Sequence, residues 1–151
     1  EGYFRGAAGQ AGVAGDPFEQ VPIGNGAEMA GKASLSANFG AGKVTGNIHS
    51  IELMNTNDDP LGNAPYGIRM EGDITGSTYA GTAKYTAAAT APGAAANASG
   101  PTGQMMGGFY GANAAETAGA IKIEGTAPGT GPATGPNSVL IGAFGAKKVG
   151  N

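Results

Sequence analysis

Large apolar side chains in this chain fall on every second position of short runs, the pattern of a β-strand with one covered face. The clearest run is Gly67–Thr75, where Ile68, Met70, Gly72 and Ile74 share one parity and Arg69, Glu71, Asp73 and Thr75 the other. Lys32–Phe39 repeats it, with Ala33, Leu35, Ala37 and Phe39 set against Lys32, Ser34, Ser36 and Asn38. Lys43–Leu53 carries Val44, Gly46 and Ile48 on one parity and then switches to Ile51 and Leu53, which predicts a bulge or a strand end. Gly81–Thr86 sets Ala83 and Tyr85 against Thr82, Lys84 and Thr86. Gln104–Tyr110, Gly119–Gly125 and Ser138–Lys147 read as three more strands, and Ile121 and Ile123 alternate with Lys122 and Glu124. Gly2–Gly6 offers an eighth.

Turn formers separate the runs: Gly40-Ala41-Gly42, Asn57-Asp58-Asp59-Pro60, Thr75-Gly76-Ser77 and Pro128–Pro136. The one helical signal is Asn113–Thr117, where Asn113 stands as a cap and Glu116 three positions on completes a capping box. Glycine recurs inside the strands at Gly46, Gly72, Gly108 and Gly142, as expected where a curved sheet must bend or let backbones approach. Short antiparallel strands of this number predict an all-β fold: a small, soluble, eight-stranded antiparallel β-barrel with long Gly/Ala/Pro-rich loops. A membrane barrel would turn its apolar parity outward to lipid, and here the opposite parity carries Lys, Arg, Glu and Asp. The apolar face is therefore assigned to the inside. Residues 1–26 are expected to be an N-terminal extension or first strand, and residues 27–149 the barrel domain.

Composition sharpens this picture. Of 151 residues, 30 are Gly and 29 Ala, while Leu, Ile, Val and Phe supply only 22. Such a chain risks burying too little apolar surface to offset its ordering entropy. The net charge is only −3, so the second half of the disorder signature is missing, and the apolar residues are grouped rather than scattered. Eight Lys+Arg against eleven Asp+Glu supply no basic face for nucleic acid. No apolar run approaches the ~20 residues of a membrane-spanning helix. One His and no Cys leave little from which to build a nucleophile, a thiolate metal site or a lipid anchor, so no enzyme, cofactor or metal is expected.

Three segments, in order, carry a family likeness: Ala37-Asn38-Phe39-Gly40 running into Lys43-Val44-Thr45-Gly46; Gly107-Gly108-Phe109-Tyr110-Gly111-Ala112-Asn113-Ala114-Ala115-Glu116; and Gly142-Ala143-Phe144-Gly145-Ala146-Lys147-Lys148. Met70-Glu71-Gly72 and Tyr79-Ala80-Gly81-Thr82-Ala83 fit between them. Together, from about Ala27 to Lys148, they resemble the eight-stranded barrel of the transferrin-binding protein B-like family of Gram-negative surface proteins. Relatives of that family include Slam-dependent surface lipoproteins, factor H-binding lipoproteins and secreted haem-capturing hemophilin-like proteins. The chain departs from the family at Thr117-Ala118-Gly119, where Gly-Gly often follows the motif Glu, and it has neither a lipobox Cys nor room for a handle domain. The resemblance implies a barrel with an exported address at the cell surface, the outer membrane or outside the cell, the periplasm being the alternative. Read physically, Gly107, Gly108 and Gly111 let a strand turn sharply at a rim, and Glu116 on a one-turn helix accepts unpaired backbone N–H groups.

The candidate chemistry is sparse. His49 could ligate haem iron or another metal, but its parity matches Lys43, Thr45 and Asn47 and points it to solvent. Asn55-Thr56-Asn57-Asp58-Asp59-Pro60 clusters oxygens suited to Ca²⁺, yet Pro60 stands at the EF-hand glycine position and Tyr66 where the bidentate Glu belongs, so an Asx turn is expected. Gly40-Ala41-Gly42-Lys43 lacks the remainder of a phosphate-binding loop, and Asn97-Ala98-Ser99 is an isolated glycosylation sequon. Tyr66, Tyr79, Tyr85 and Tyr110 are candidates for a binding face, although Tyr85 sits on the apolar parity.

The expected function is a non-enzymatic binding module that captures a protein or small ligand through Asn55–Pro65, Thr86–Thr102 and Ala127–Asn137. The family likeness implies an iron carrier or haem as ligand, with an outer-membrane receptor or self-assembly as further partners. The alternative is a structural subunit of a surface layer, filament or envelope complex.

Overall fold

A computed structural model of the chain describes residues 1–10, 27–55, 57–87, 99–127 and 138–149. Nine strands form among the described residues: β1 (Gly2–Gln10), β2 (Ala27–Asn38), β3 (Lys43–Met54), β4 (Pro60–Asn63), β5 (Tyr66–Thr75), β6 (Thr78–Ala87), β7 (Ser99–Tyr110), β8 (Glu116–Glu124) and β9 (Ser138–Lys147). All pairings are antiparallel, and β1 pairs with both β2 and β9, so the sheet closes on itself. β4 and β5 both pair with β3 and make one wall position interrupted at Ala64 and Pro65. The barrel therefore has eight staves, as the alternation predicts.

The parities sort as expected. Phe4, Met29, Ile48, Ile68, Met70, Tyr85, Met105, Ile121, Ile123, Leu140 and Phe144 point inward and are buried. The outer surface carries ion pairs between Lys43 and Asp73, Arg69 and Glu71, Lys122 and Glu124 (2.7 Å) and Lys147 and Glu116 (3.2 Å). Exposed pairs of this kind contribute little stability each, but they mark the wall that faces water.

The parity switch in β3 is a bulge. Lys32 pairs with His49 and Ala30 with Glu52, so Ser50 and Ile51 together oppose Gly31, and Ser50 takes φ 51°. Several elements run past their sequence-predicted limits. β2 begins at Ala27 rather than Lys32, β6 at Thr78 rather than Gly81, β7 at Ser99 rather than Gln104, and β1 reaches Gln10.

Three expectations are corrected. Asn55–Pro65 is not wholly loop, because Pro60–Asn63 pairs with Glu52–Met54 as β4. The Asn113–Thr117 turn is a 3₁₀ segment at Ala112–Ala114 with no side-chain cap, and Asn113 itself lies at φ 57°. Glu116 is the first residue of β8 and faces Lys147, so it does not cap a helix. Most of Thr86–Thr102 and Ala127–Asn137, and Asn97-Ala98 of the sequon, lie outside the described residues.

The glycines inside the strands have a more specific role than curvature. Gly6 and Gly142 are cross-strand partners on the inner wall, and the ring of Phe4 lies over both, so a Cβ at either would run into it. Gly119 does the same for Phe144, whose Cζ would lie 2.5 Å from its Cβ. At these three positions the missing side chain makes the room that the Phe4 and Phe144 rings occupy.

Candidate functional site

Among the described residues, buried apolar side chains line the barrel interior. Tyr66 and Tyr79, proposed from sequence for a binding face, are core residues, as Tyr85 is. Tyr66 donates to Met29 Sδ at 3.6 Å and meets the Tyr85 ring edge-on at 5.1 Å. Burial pushes the Tyr66 phenol up to about 12 and raises that of Tyr85 as well. The Tyr79 hydroxyl lies 2.8 Å from Thr117 Oγ1, which donates to the Gly108 carbonyl at 2.9 Å. Burial raises the Tyr79 phenol too, keeping it a donor.

The two rims differ. One carries tight turns at Phe39–Gly42, Gly76-Ser77 and Gly111–Ala115, together with Glu1 and Lys148. The family-like motif gathers here. Phe39 stacks on Phe109 at 5.0 Å, and Phe109 on Tyr79 at 5.0 Å. Phe39 and Tyr110 stay exposed, and the Glu116–Lys147 pair sits beside Tyr110. Of the motif glycines only Gly111 serves the turn, at φ 74°. Gly107 lies within β7, directly opposite the Tyr79 hydroxyl, and Gly108 pairs with Thr78 and Ala118. Phe144 is core, whereas Gly145 lies on the outer wall.

The strand ends that bracket residues 11–26, 88–98 and 128–137 all lie on the opposite rim, with the Asn55–Asp59 turn and β4. In that turn Asn55 Oδ1 accepts the N–H groups of Asn57 (2.8 Å) and Asp59 (2.9 Å). Asn55 Nδ2 donates to Asp59 Oδ2 at 3.1 Å. These oxygens close an Asx turn, as expected, and Asn57, Asp58 and Asp59 stay exposed on the rim.

His49 is not exposed. It is 2% accessible, although its regular pairing with Lys32 keeps it on the outward parity of Lys43, Thr45 and Asn47. Nδ1 lies 3.2 Å from Ser50 Oγ, and among the described residues Nε2 has no hydrogen-bond partner. Burial holds the imidazole below its usual 6.5; Glu1 pulls it back up and Lys32 adds to the lowering. The folded barrel thus keeps the ring neutral while the unfolded chain takes up a proton near 6.5. Stability from this site is full above that pH and falls as pH drops through the lowered folded value. Melting curves between about pH 7.5 and 5 are expected to show an acid loss of Tm that is smaller in His49→Leu. An identical loss in both proteins would refute the buried neutral ring.

The family model described as the C-lobe and N-lobe beta barrels of Tf-binding protein B matches residues 3–148. The chain belongs to this family of transferrin-binding protein B barrels. Among solved structures, it is similar to a point mutant of the vaccine antigen Transferrin Binding Protein B from Haemophilus parasuis Hp5, at 21% identity and a TM-score of 0.44. That match covers 97% of this chain and 25% of the other, so the chain spans about a quarter of that protein's length. No curated protein sequence matches.

In this transferrin-binding protein B barrel, one part of the outer wall differs from the rest in composition. The outer wall over β7, β8 and β9 is built from Met106, Ala118, Ala120, Ala143 and Gly145, with Ile141 at its border and Gly108 buried beneath the Tyr110 side chain. Met106 is 59% exposed and Ile141 44%. Across the barrel, the same parity of β2, β3 and β5 bears Lys32, Ser34, Thr45, Asn47, Arg69 and Glu71. The signal lay in the polar parity of the last three strands, which carries almost no charge between its ends.

Proposed function

We propose that the chain is a non-enzymatic binding module, displayed on the cell surface or released from it, that captures an iron-carrier protein of the transferrin class. Capture uses the rim that bears the long connections. The observation that carries this reading is the buried aromatic pair at that end of the barrel: among the described residues Tyr66 and Tyr85 pack together in the core there, and the rim above them is left to meet a ligand. Family membership supports the ligand class, since the similar solved protein is named for binding transferrin. A rigid barrel holding variable connections at one end is a common recognition design. With a single buried His and no Cys, the side chains are suited to contact rather than bond making.

A biosensor titration of the purified barrel over immobilised transferrin tests this. Saturable binding is expected, and Leu61→Asp, an exposed change on β4 at that rim, is expected to weaken it about tenfold or more. An absorbance titration with haemin is expected to leave the haem spectrum unchanged. Binding of haemin without binding of transferrin would overturn the reading.

A further inference from the structure

One strand edge of the barrel runs on without a neighbour. β1 starts at Gly2, opposite Ala33, whereas β2 continues to Asn38, so among the described residues Ser34–Asn38 pairs with β3 alone. The Ile74 N–H donates to the Gly42 carbonyl at 2.9 Å. In that register the backbone groups of Val44, Gly46 and Ile48 face β5, and those of Lys43, Thr45 and Asn47 face β2. Ser34, Ser36 and Asn38 therefore bond to β3, and the N–H and C=O groups of Leu35 and Ala37 point the other way. The Glu1–Lys147 backbone bonds, at 3.2 and 3.4 Å, agree, since they leave Gly2 to bond Ala33 on that same side of β2. The four groups of Leu35 and Ala37 meet no strand. Exposed edges are normally blunted by charge, proline or a bulge. β4 shows this with Pro60, Gly62 at φ 115° and a register shift. Ser34-Leu35-Ser36-Ala37-Asn38 carries no charge, no proline and no bulge.

We propose that this edge is a docking site for an extended segment of another protein, which adds to β2 as an antiparallel strand in line with β1. Such an edge offers backbone donors and acceptors at a fixed spacing, and an added strand meets all four at once. The open stretch, Ser34 to Asn38, is about 17 Å long, so it takes a short segment. Residues paired with Leu35 and Ala37 turn their side chains to the same side as these two, toward the interior. There they join Leu35, which packs on the core, and Phe39, which is exposed at the rim. The residues between them lie along Ser34, Ser36 and Asn38 on the outer wall. The partner segment therefore alternates apolar residues with uncharged polar ones. It docks at the tight-turn rim, apart from ligand capture at the rim with the long connections.

Amide hydrogen exchange followed by NMR, with the end-blocked peptide Thr-Val-Ser-Val-Thr as probe, tests the site. In the free chain the Leu35 and Ala37 amides are expected to exchange about tenfold or more faster than those of Ser34 and Ser36, which bond to β3. At about 1 mM peptide they are expected to slow about tenfold, the effect of a Kd of about 100 μM. The same peptide N-methylated at both valines lacks the donors that face Leu35 and Ala37 and is expected to give no slowing. Ala37→Pro removes an N–H that β3 does not use. It is expected to melt within about 3 °C of wild type and to lose the peptide response at Leu35. Leu35 and Ala37 amides as slow as their neighbours in the free chain, exchange unchanged by about 1 mM peptide, or a response that survives N-methylation would each overturn the proposal. Slowing that appears without peptide as the protein is concentrated to about 1 mM would assign the edge to a second copy and overturn it too. Transferrin binding is expected to be the same with and without peptide, so either reading can fail without the other.

Discussion

Gly142→Val is expected to lower the melting temperature of the barrel by roughly 10 °C, equivalent to about 3 kcal/mol. Gly142 and Gly6 face each other on the inner wall of β9 and β1, and Phe4 lays its ring across both. A Cβ at residue 142 would overlap the Phe4 ring, with Cζ at 2.5 Å, and would lie 3.0 Å from the Arg5 carbonyl oxygen. Phe4 is only 1% exposed, and a closed eight-stave barrel cannot open on one side to let it withdraw. The strain therefore reaches the β1–β9 seam, where the sheet closes. Phe4→Ala is expected to cost about 3–5 kcal/mol through the cavity it leaves. In the double variant the valine grows into that cavity, so its loss should fall short of the summed single losses by about 1 kcal/mol or more. Urea unfolding of the four proteins gives the comparison. A Gly142→Val protein melting within about 2 °C of wild type would show that the ring does not occupy this place.

That glycine pair shows where the sequence could be read and where it could not. Strict alternation marks Gly67–Thr75, Lys32–Phe39 and Gly81–Thr86, because a closed barrel has one apolar side per strand and the period is 2. The bulge in β3 was visible for the same reason: Ile48 and Ile51 are three apart, and only an inserted residue keeps both inside. His49 keeps the outward parity set by Lys43 and pairs with Lys32, yet it is covered, and parity reports which side a residue takes, not what covers it. β4 was missed because Pro60–Asn63 is exposed on both sides and has no alternation to read. Tyr66 and Tyr79 were set at the surface for their hydroxyls, which instead find Met29 Sδ and Thr117 Oγ1 inside. Glu116 looked like a cap because its spacing from Asn113 was right, yet Asn113 takes a left-handed conformation and the strand has already begun at Glu116. Met29 and Thr117 lie 37 and 38 residues from Tyr66 and Tyr79 in the chain, and local pattern does not encode such contacts.

Thr117→Val is expected to cost about 2 kcal/mol, although it keeps the shape of the side chain. Thr117 Oγ1 is the middle of a buried relay: it lies 2.8 Å from the Tyr79 hydroxyl and donates to the Gly108 carbonyl at 2.9 Å. Valine leaves that carbonyl without its hydroxyl donor and the Tyr79 hydroxyl with only a 3.4 Å contact to the Ala118 carbonyl. Burial makes both losses count in full, because water does not replace the missing partners. Tyr79→Phe is expected to cost about 1 kcal/mol, since Thr117 retains Gly108 as acceptor. Losses in the double variant should fall short of additive by about 1 kcal/mol, because removing either hydroxyl already breaks the bond between them. Additive losses would mean that the two hydroxyls act separately. The relay ties β6 to the β7–β8 hairpin directly beneath the Phe39–Phe109–Tyr79 stack. Its loss should therefore speed amide exchange at the tight rim first, before the His49 bulge and the loop-bearing rim. That order follows from geometry, since the long connections and the relay lie at opposite ends of the barrel.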